Sequence, residues 1–175
     1  SLDKKVYVWR KDGSNYPGWP QTVSGPVRSS PSIANLDDDP ELEIVAGTDW
    51  SYWSTTDPSR KLYAFNNNGT VLQGWPVTVP YENAFSYGFG SPAIGDIDGD
   101  GKQEIVAESD IRHIYAYRTD GQVAQGFPKR MTAIGAFPSN TPTIADLDGD
   151  GKLNLVSVAY VNDQIGTSFT RERGQ

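Results

Sequence analysis

Apolar residues in this chain come in short bursts, each cut off by glycine, proline, asparagine or aspartate. The bursts at 6–9, 62–65 and 114–117 are aromatic and β-branched, and those at 44–46, 105–107 and 155–157 are nearly continuous apolar runs. None is long enough for a helix, and each is bounded by turn residues, so the pattern predicts short β-strands. Asp12-Gly13, Asn68-Gly69 and Asp120-Gly121 follow the first set and supply the positive-φ position that reverses a chain into the next strand.

The bursts repeat. Residues 31–45, 92–106 and 142–156 superpose without gaps, from Pro31, Pro92 and Pro142 to Val45, Val106 and Val156. Interleaved with them is a second family, 6–13, 62–69 and 114–121, each followed by Gly18-Trp19-Pro20, Gly74-Trp75-Pro76 or Gly126-Phe127-Pro128. Four strands per unit result. The first, Ser32–Leu36 and its equivalents, holds a small residue at Ala34, Gly95 or Ala145, which suits an innermost strand crowded around an axis. The last carries glycine and proline, as an outer edge tolerates. Four antiparallel strands in a repeated unit predict an all-β chain of β-propeller blades; a sandwich needs no such period. Trp19, Trp75 and Phe127 are expected in the inter-blade core, and His113, aligned with Lys5 and Lys61 at a strand start, on the surface.

As one segment, 1–175 divides into a half-blade (1–24), a blade (25–80), a blade (81–131) and a second half-blade (132–175). Joined, the halves make about three blades, whereas propellers have about 4–8. The reading is therefore of a processed piece of a longer polypeptide, or of chains that complete one another's blades.

Between the first and second strand of each unit lies an acidic hairpin. Asp96, Asp98, Asp100 and Glu104 occupy positions 1, 3, 5 and 9 of one, and Asp146, Asp148, Asp150 and Asn154 those of the next, with the carbonyls of Lys102 and Lys152 expected at position 7. A hard cation such as Ca²⁺ takes about 6–8 oxygens at roughly 2.3–2.6 Å, and alternating carboxylates in a tight loop can converge them. Gly101 and Gly151 permit the bend at position 6. An EF-hand requires glutamate at position 12, where this chain has Ala107 or Ser157. The loop at Asn35, Asp37, Asp39, Glu41 and Glu43 keeps the donors but has Pro40 at position 6, which cannot take a left-handed turn. Two Ca²⁺ sites are thus expected, with this loop a candidate third, and the ions are read as structural.

The remaining composition narrows the chemistry. A formal charge of −7 argues against a nucleic-acid partner. Without cysteine there is no disulfide, thiolate metal site or cysteine nucleophile, and one histidine leaves little for a histidine cluster. No stretch approaches the roughly 18 apolar residues of a membrane span.

Phe89-Gly90-Ser91-Pro92-Ala93, followed by the acidic loop 96–104, resembles the FG-GAP repeat, also known as the VCBS repeat, which builds integrin α-subunit propellers and many bacterial secreted proteins. The likeness covers most of 1–156, and the Gly-Trp-Pro motif is closer to the bacterial type. It implies calcium on the acidic hairpins and an extracellular, secreted or cell-surface placement; it names no ligand.

Loops between strands two and three, and between blades, emerge opposite the acidic hairpins. There Trp50, Tyr52 and Trp53, with Tyr81, Phe85 and Tyr87, form an aromatic set suited to an extracellular protein or a glycan. The reading is a calcium-binding module for adhesion or ligand recognition. The alternatives are part of a secreted polysaccharide-degrading enzyme, for which Asp49, Asp57, Asp110 and Arg112 show no telling spacing, and a structural subunit that assembles by blade complementation.

Overall fold

The computed structural model describes residues 1–37, 39–49, 59–78, 88–109, 113–130, 136–137, 141–157 and 160–161, the two dipeptides by their backbone. Every element in it is a strand, and there is no helix among the described residues. Strands β3 (Ser32–Ala34), β4 (Glu43–Gly47), β5 (Lys61–Phe65) and β6 (Val77–Thr78) form one antiparallel sheet in chain order. β7 (Ala93–Gly95), β8 (Glu104–Ser109), β9 (His113–Tyr117) and β10 (Lys129–Arg130) form a second of the same topology. β1 (Lys5–Val6) pairs with β2 (Gln21–Thr22), β12 (Thr143–Ala145) with β13 (Asn154–Val156), and β11 (Ala136–Phe137) with β14 (Tyr160–Val161).

Register repeats with the sequence. Ala34↔Glu43, Gly95↔Glu104 and Ala145↔Asn154 each close the hairpin that carries an acidic loop. Val45↔Ala64 and Val106↔Ala116 set the central pairs. The turns at Gly13, Gly69 and Gly121 have φ of 83°, 84° and 78°, as their Asp/Asn-Gly pairs predict. The third strand of the first unit is shorter than expected: over 6–9 only Val6 belongs to β1, and Trp9 makes a lone bridge to Asn15.

Alternate side chains of the central strands serve two different cores. Val45, Leu62 and Ala64 face Ile105, Ala107, Tyr115 and Tyr117 of the next sheet. Ile44, Ala46, Tyr63 and Phe65 face Val6, Trp19, Val23 and Val27. Val106, Ile114 and Ala116 pack in turn with Ile144 and Leu155. Since β4 and β8 are buried along both faces, their sequences read as continuous apolar runs rather than alternating ones. β3, β7 and β12 lie side by side in a row, and a Cβ on Gly95 would come within 3.2 Å of Ile144 and Leu153. That close approach favours the small residue the sequence places there.

His113 departs from expectation. It is 8% exposed, because its imidazole packs against Tyr115 with ring centroids 6.0 Å apart at the start of β9.

Candidate metal centre

Each acidic hairpin hangs from the inner pair of strands, and the same hydrogen bond closes all three. The side chain at position 9 folds back to accept the N–H of position 2: Leu36 N donates to Glu43 Oε2 at 2.6 Å, Ile97 N to Glu104 Oε2 at 3.0 Å, and Leu147 N to Asn154 Oδ1 at 2.8 Å. The Asn154 amide oxygen makes the same clamp as the two carboxylates, so the third loop keeps this contact with one charge fewer.

Within the second and third loops the first aspartate organises the backbone. Asp96 accepts from Gly99 N at 2.7 Å and Gly101 N at 2.9 Å; Asp146 accepts from Gly149 N and Gly151 N at the same distances. These N–H donors, Gly151 first, hold the Asp146 carboxyl below its ordinary range. Asp100 Oδ1 and Asp150 Oδ1 accept from Lys102 N and Lys152 N at 2.8 and 2.9 Å, which fixes the peptide at position 7. Gly101 and Gly151 have φ of 89° and 85°, and a Cβ on either would meet nothing within 4 Å, so the demand for glycine there is conformational.

The first loop follows another course. Asn35 donates from Nδ2 to the carbonyl of Asp39, where the other loops have an aspartate that accepts. Asp39 N still donates to Asp37 Oδ1 at 3.1 Å, and Glu41 N to Asp39 Oδ1 at 2.9 Å. No described residue of 35–43 has positive φ, in keeping with Pro40.

One carboxylate oxygen from each of Asp37, Asp39 and Glu43 lies within 4.8 Å of the others, and the same holds for Asp96, Asp98 and Glu104, and for Asp146, Asp148 and Asp150. Asp100 is not in the second of these groups, and Glu41, Lys102 and Lys152 enter only through their backbone. Glu43 and Glu104 are 0% and 1% exposed. Burial pushes both carboxyls above the usual range, and the neighbouring aspartates push the same way. Glu43 Oε1 is buried without a hydrogen-bond partner among the described residues. A buried carboxylate oxygen facing two further carboxylates fits a cation, and an all-oxygen donor set fits a hard one.

The clamp on position 2 left no trace in the sequence pattern, because its donor is a backbone N–H. Trp50, Tyr52, Trp53, Tyr81, Phe85 and Tyr87 lie outside the described residues, as do Asp57, Asp110 and Arg112. No helix among the described residues is long and apolar enough to cross a membrane. A search of curated proteins finds no match. The family model of the FG-GAP-like repeat matches residues 35–107, from the first acidic hairpin through the second to the buried strand behind it. Over those residues the chain is similar to the FG-GAP-like repeat, a likeness that its all-β sheets fit.

Proposed function

We propose that the three hairpins bind Ca²⁺ and that the chain is a calcium-stabilised extracellular propeller module for adhesion or recognition of a protein or glycan. The observation that carries the calcium reading is the pair of buried glutamates, Glu43 and Glu104, each set among converging aspartates. Isolated burial of such a charge is costly. A bound divalent ion supplies the countercharge that neither acid has among the described residues. Asp37, Asp39 and Glu43 would hold it in the first loop, Asp96, Asp98 and Glu104 in the second, and Asp146, Asp148 and Asp150 in the third. Asp100, Asn35 and Asn154, with the carbonyls of Glu41, Lys102 and Lys152, complete the sets expected from the sequence.

Support for the propeller comes from the stacked four-stranded sheets and from the row of inner strands β3, β7 and β12. Support for recognition comes from the aromatic residues of 50–53 and 81–87 in the sequence. Titration calorimetry with CaCl₂ on metal-stripped protein tests the first part. Saturable heat at two or three sites, lost from the second loop in Asp98→Ala, is expected; absence of saturable heat sinks the reading. Glycan and peptide arrays, with Trp50→Ala/Trp53→Ala for comparison, test the second. Hits that the double variant retains in full dismiss the aromatic set.

A further inference from the structure

A cleft of about 720 Å³ opens between the two four-stranded sheets, on the side of the acidic hairpins. Residues 35–37 of the first hairpin and 101–103 of the second wall it, with the turns at 72–74 and 119–120. Its base is apolar, since Leu36 and Leu72 pack in the core that the two sheets share. Its rim is polar: Gln73 and Gln103 bring an amide each, and Asp37 and Asp120 a carboxylate each. An apolar base with a few convergent polar groups, in a volume of roughly 300–1,000 Å³, is the usual form of a small-ligand site.

One wall residue breaks the repeat. Gln103 stands where the aligned hairpins have Leu42 and Leu153. Leu153 packs against Gly95 of the neighbouring hairpin. Gln103 is partly buried, and its amide has no hydrogen-bond partner among the described residues; the Gln73 amide, on the other sheet, has none either. A glutamine at a half-buried leucine position gives up apolar packing and leaves its amide unpaired. Such departures from local consistency concentrate at functional sites. The charges of the wall are compensated. Asp120 pairs with Arg118 at 3.6 Å, and Lys102 stands on the same wall. Asp37 belongs to the first acidic cluster, whose cation neutralises it, a step that rests on the calcium reading above. What remains is a set of groups that donate and accept around an apolar base.

We propose that this cleft binds a neutral sugar, with the C–H face of one pyranose ring on Leu36 and Leu72 and its hydroxyls on the amides of Gln73 and Gln103. A hydroxyl and a primary amide each donate and accept, so the pairing satisfies both partners. A lysine or arginine side chain would instead meet Lys102 and carboxylates that are already compensated. The site uses none of the aromatic residues invoked above for recognition.

Nuclear magnetic resonance spectra of the chain in calcium buffer, titrated with glucose, galactose, mannose and N-acetylglucosamine, read the site directly. At least one sugar is expected to shift the side-chain NH₂ signals of Gln73 and Gln103 and the methyls of Leu36 and Leu72, saturably. Gln103→Leu installs the residue of the other two hairpins. It should fold and take up calcium as wild type does, while its sugar affinity falls roughly tenfold. Trp50→Ala/Trp53→Ala should keep the full response. No saturable shift with any of these sugars, shifts confined to other residues, or an undiminished response in Gln103→Leu each overturns the proposal. So does a response at these signals to N-acetyl-lysine methylamide in place of the sugars, which would mark a peptide site. A chain that takes up calcium but no sugar loses this site alone. One that binds sugar without taking up calcium keeps the site and loses the metal reading.

Discussion

At Gly101 and Gly151 the backbone takes a conformation that L-residues resist, and no neighbour restricts the space. Gly101→Ala should therefore destabilise by about 1–2 kcal/mol through backbone conformation alone, measured as a lowered urea midpoint with unchanged slope. Glu104 separates two roles. Glu104→Gln keeps an acceptor for Ile97 N–H but removes a buried charge. The metal-free variant should be at least as stable as wild type, while calcium affinity of that loop falls roughly tenfold or more, since affinity follows the number of charged ligands. Loss of metal-free stability in Glu104→Gln would show that the charge itself serves the fold. The acidic positions that cluster in each hairpin stood out in the sequence by their spacing, and Pro40 by its locked φ. The sequence was silent on Glu43 and Glu104 being the buried members of each set, because burial depends on the hairpin folding over position 9.

Between elements, the Gly-Trp-Pro motifs fasten each sheet to the next. Trp19 Nε1 donates to the carbonyl of Asn67 at 2.7 Å, and Trp75 Nε1 to that of Thr119 at 2.8 Å. Each indole meets an aromatic ring of the next sheet edge-on, Trp19 on Phe65 at 5.4 Å and Trp75 on Tyr117 at 5.9 Å. Gly18 and Gly74 press against Asn68 and Asp120 so closely that a Cβ on either would overlap their backbone. Trp75→Phe keeps the ring contact and loses the hydrogen bond, at about 0.5–1.5 kcal/mol. Trp75→Ala empties the site at about 3–5 kcal/mol. Equal losses in chemical denaturation would mean that the hydrogen bond contributes nothing. The sequence placed Trp19 and Trp75 between units, and both are buried. Phe127, in the same motif, is only half-buried and has no N–H to donate. The strands and their order were legible because turn residues recur at fixed offsets. The sharing of alternate residues between two cores was not, since a strand buried on both faces has no polar beat. Nor was the β11–β14 pair, which belongs to neither repeated motif.

Across the molecule, the buried acids are expected to make stability depend on pH in opposite senses with and without the proposed cation. Burial raises the Glu43 and Glu104 carboxyls in the folded chain, while an unfolded glutamate titrates near 4.3. A raised folded value means the folded state binds more protons than the unfolded one, so stability falls as pH rises through the folded value. Metal-free protein should therefore melt higher at pH 5 than at pH 7. Asp146 works the other way, its carboxyl being held low, but its contribution is lost only below the ordinary aspartate range and leaves this window untouched. With calcium the order reverses, because protons and the cation compete for the same oxygens. At a hundredfold excess over Kd each ion adds about 2.7 kcal/mol, or roughly 5–10 °C in Tm for a chain of this size. Melting curves at pH 5 and 7, in metal-free and calcium buffers, give four temperatures whose order is fixed in advance. Glu43→Gln/Glu104→Gln should flatten the metal-free difference. If metal-free wild type instead melts lower at pH 5, these acids are already compensated in the fold, and their burial no longer speaks for an ion.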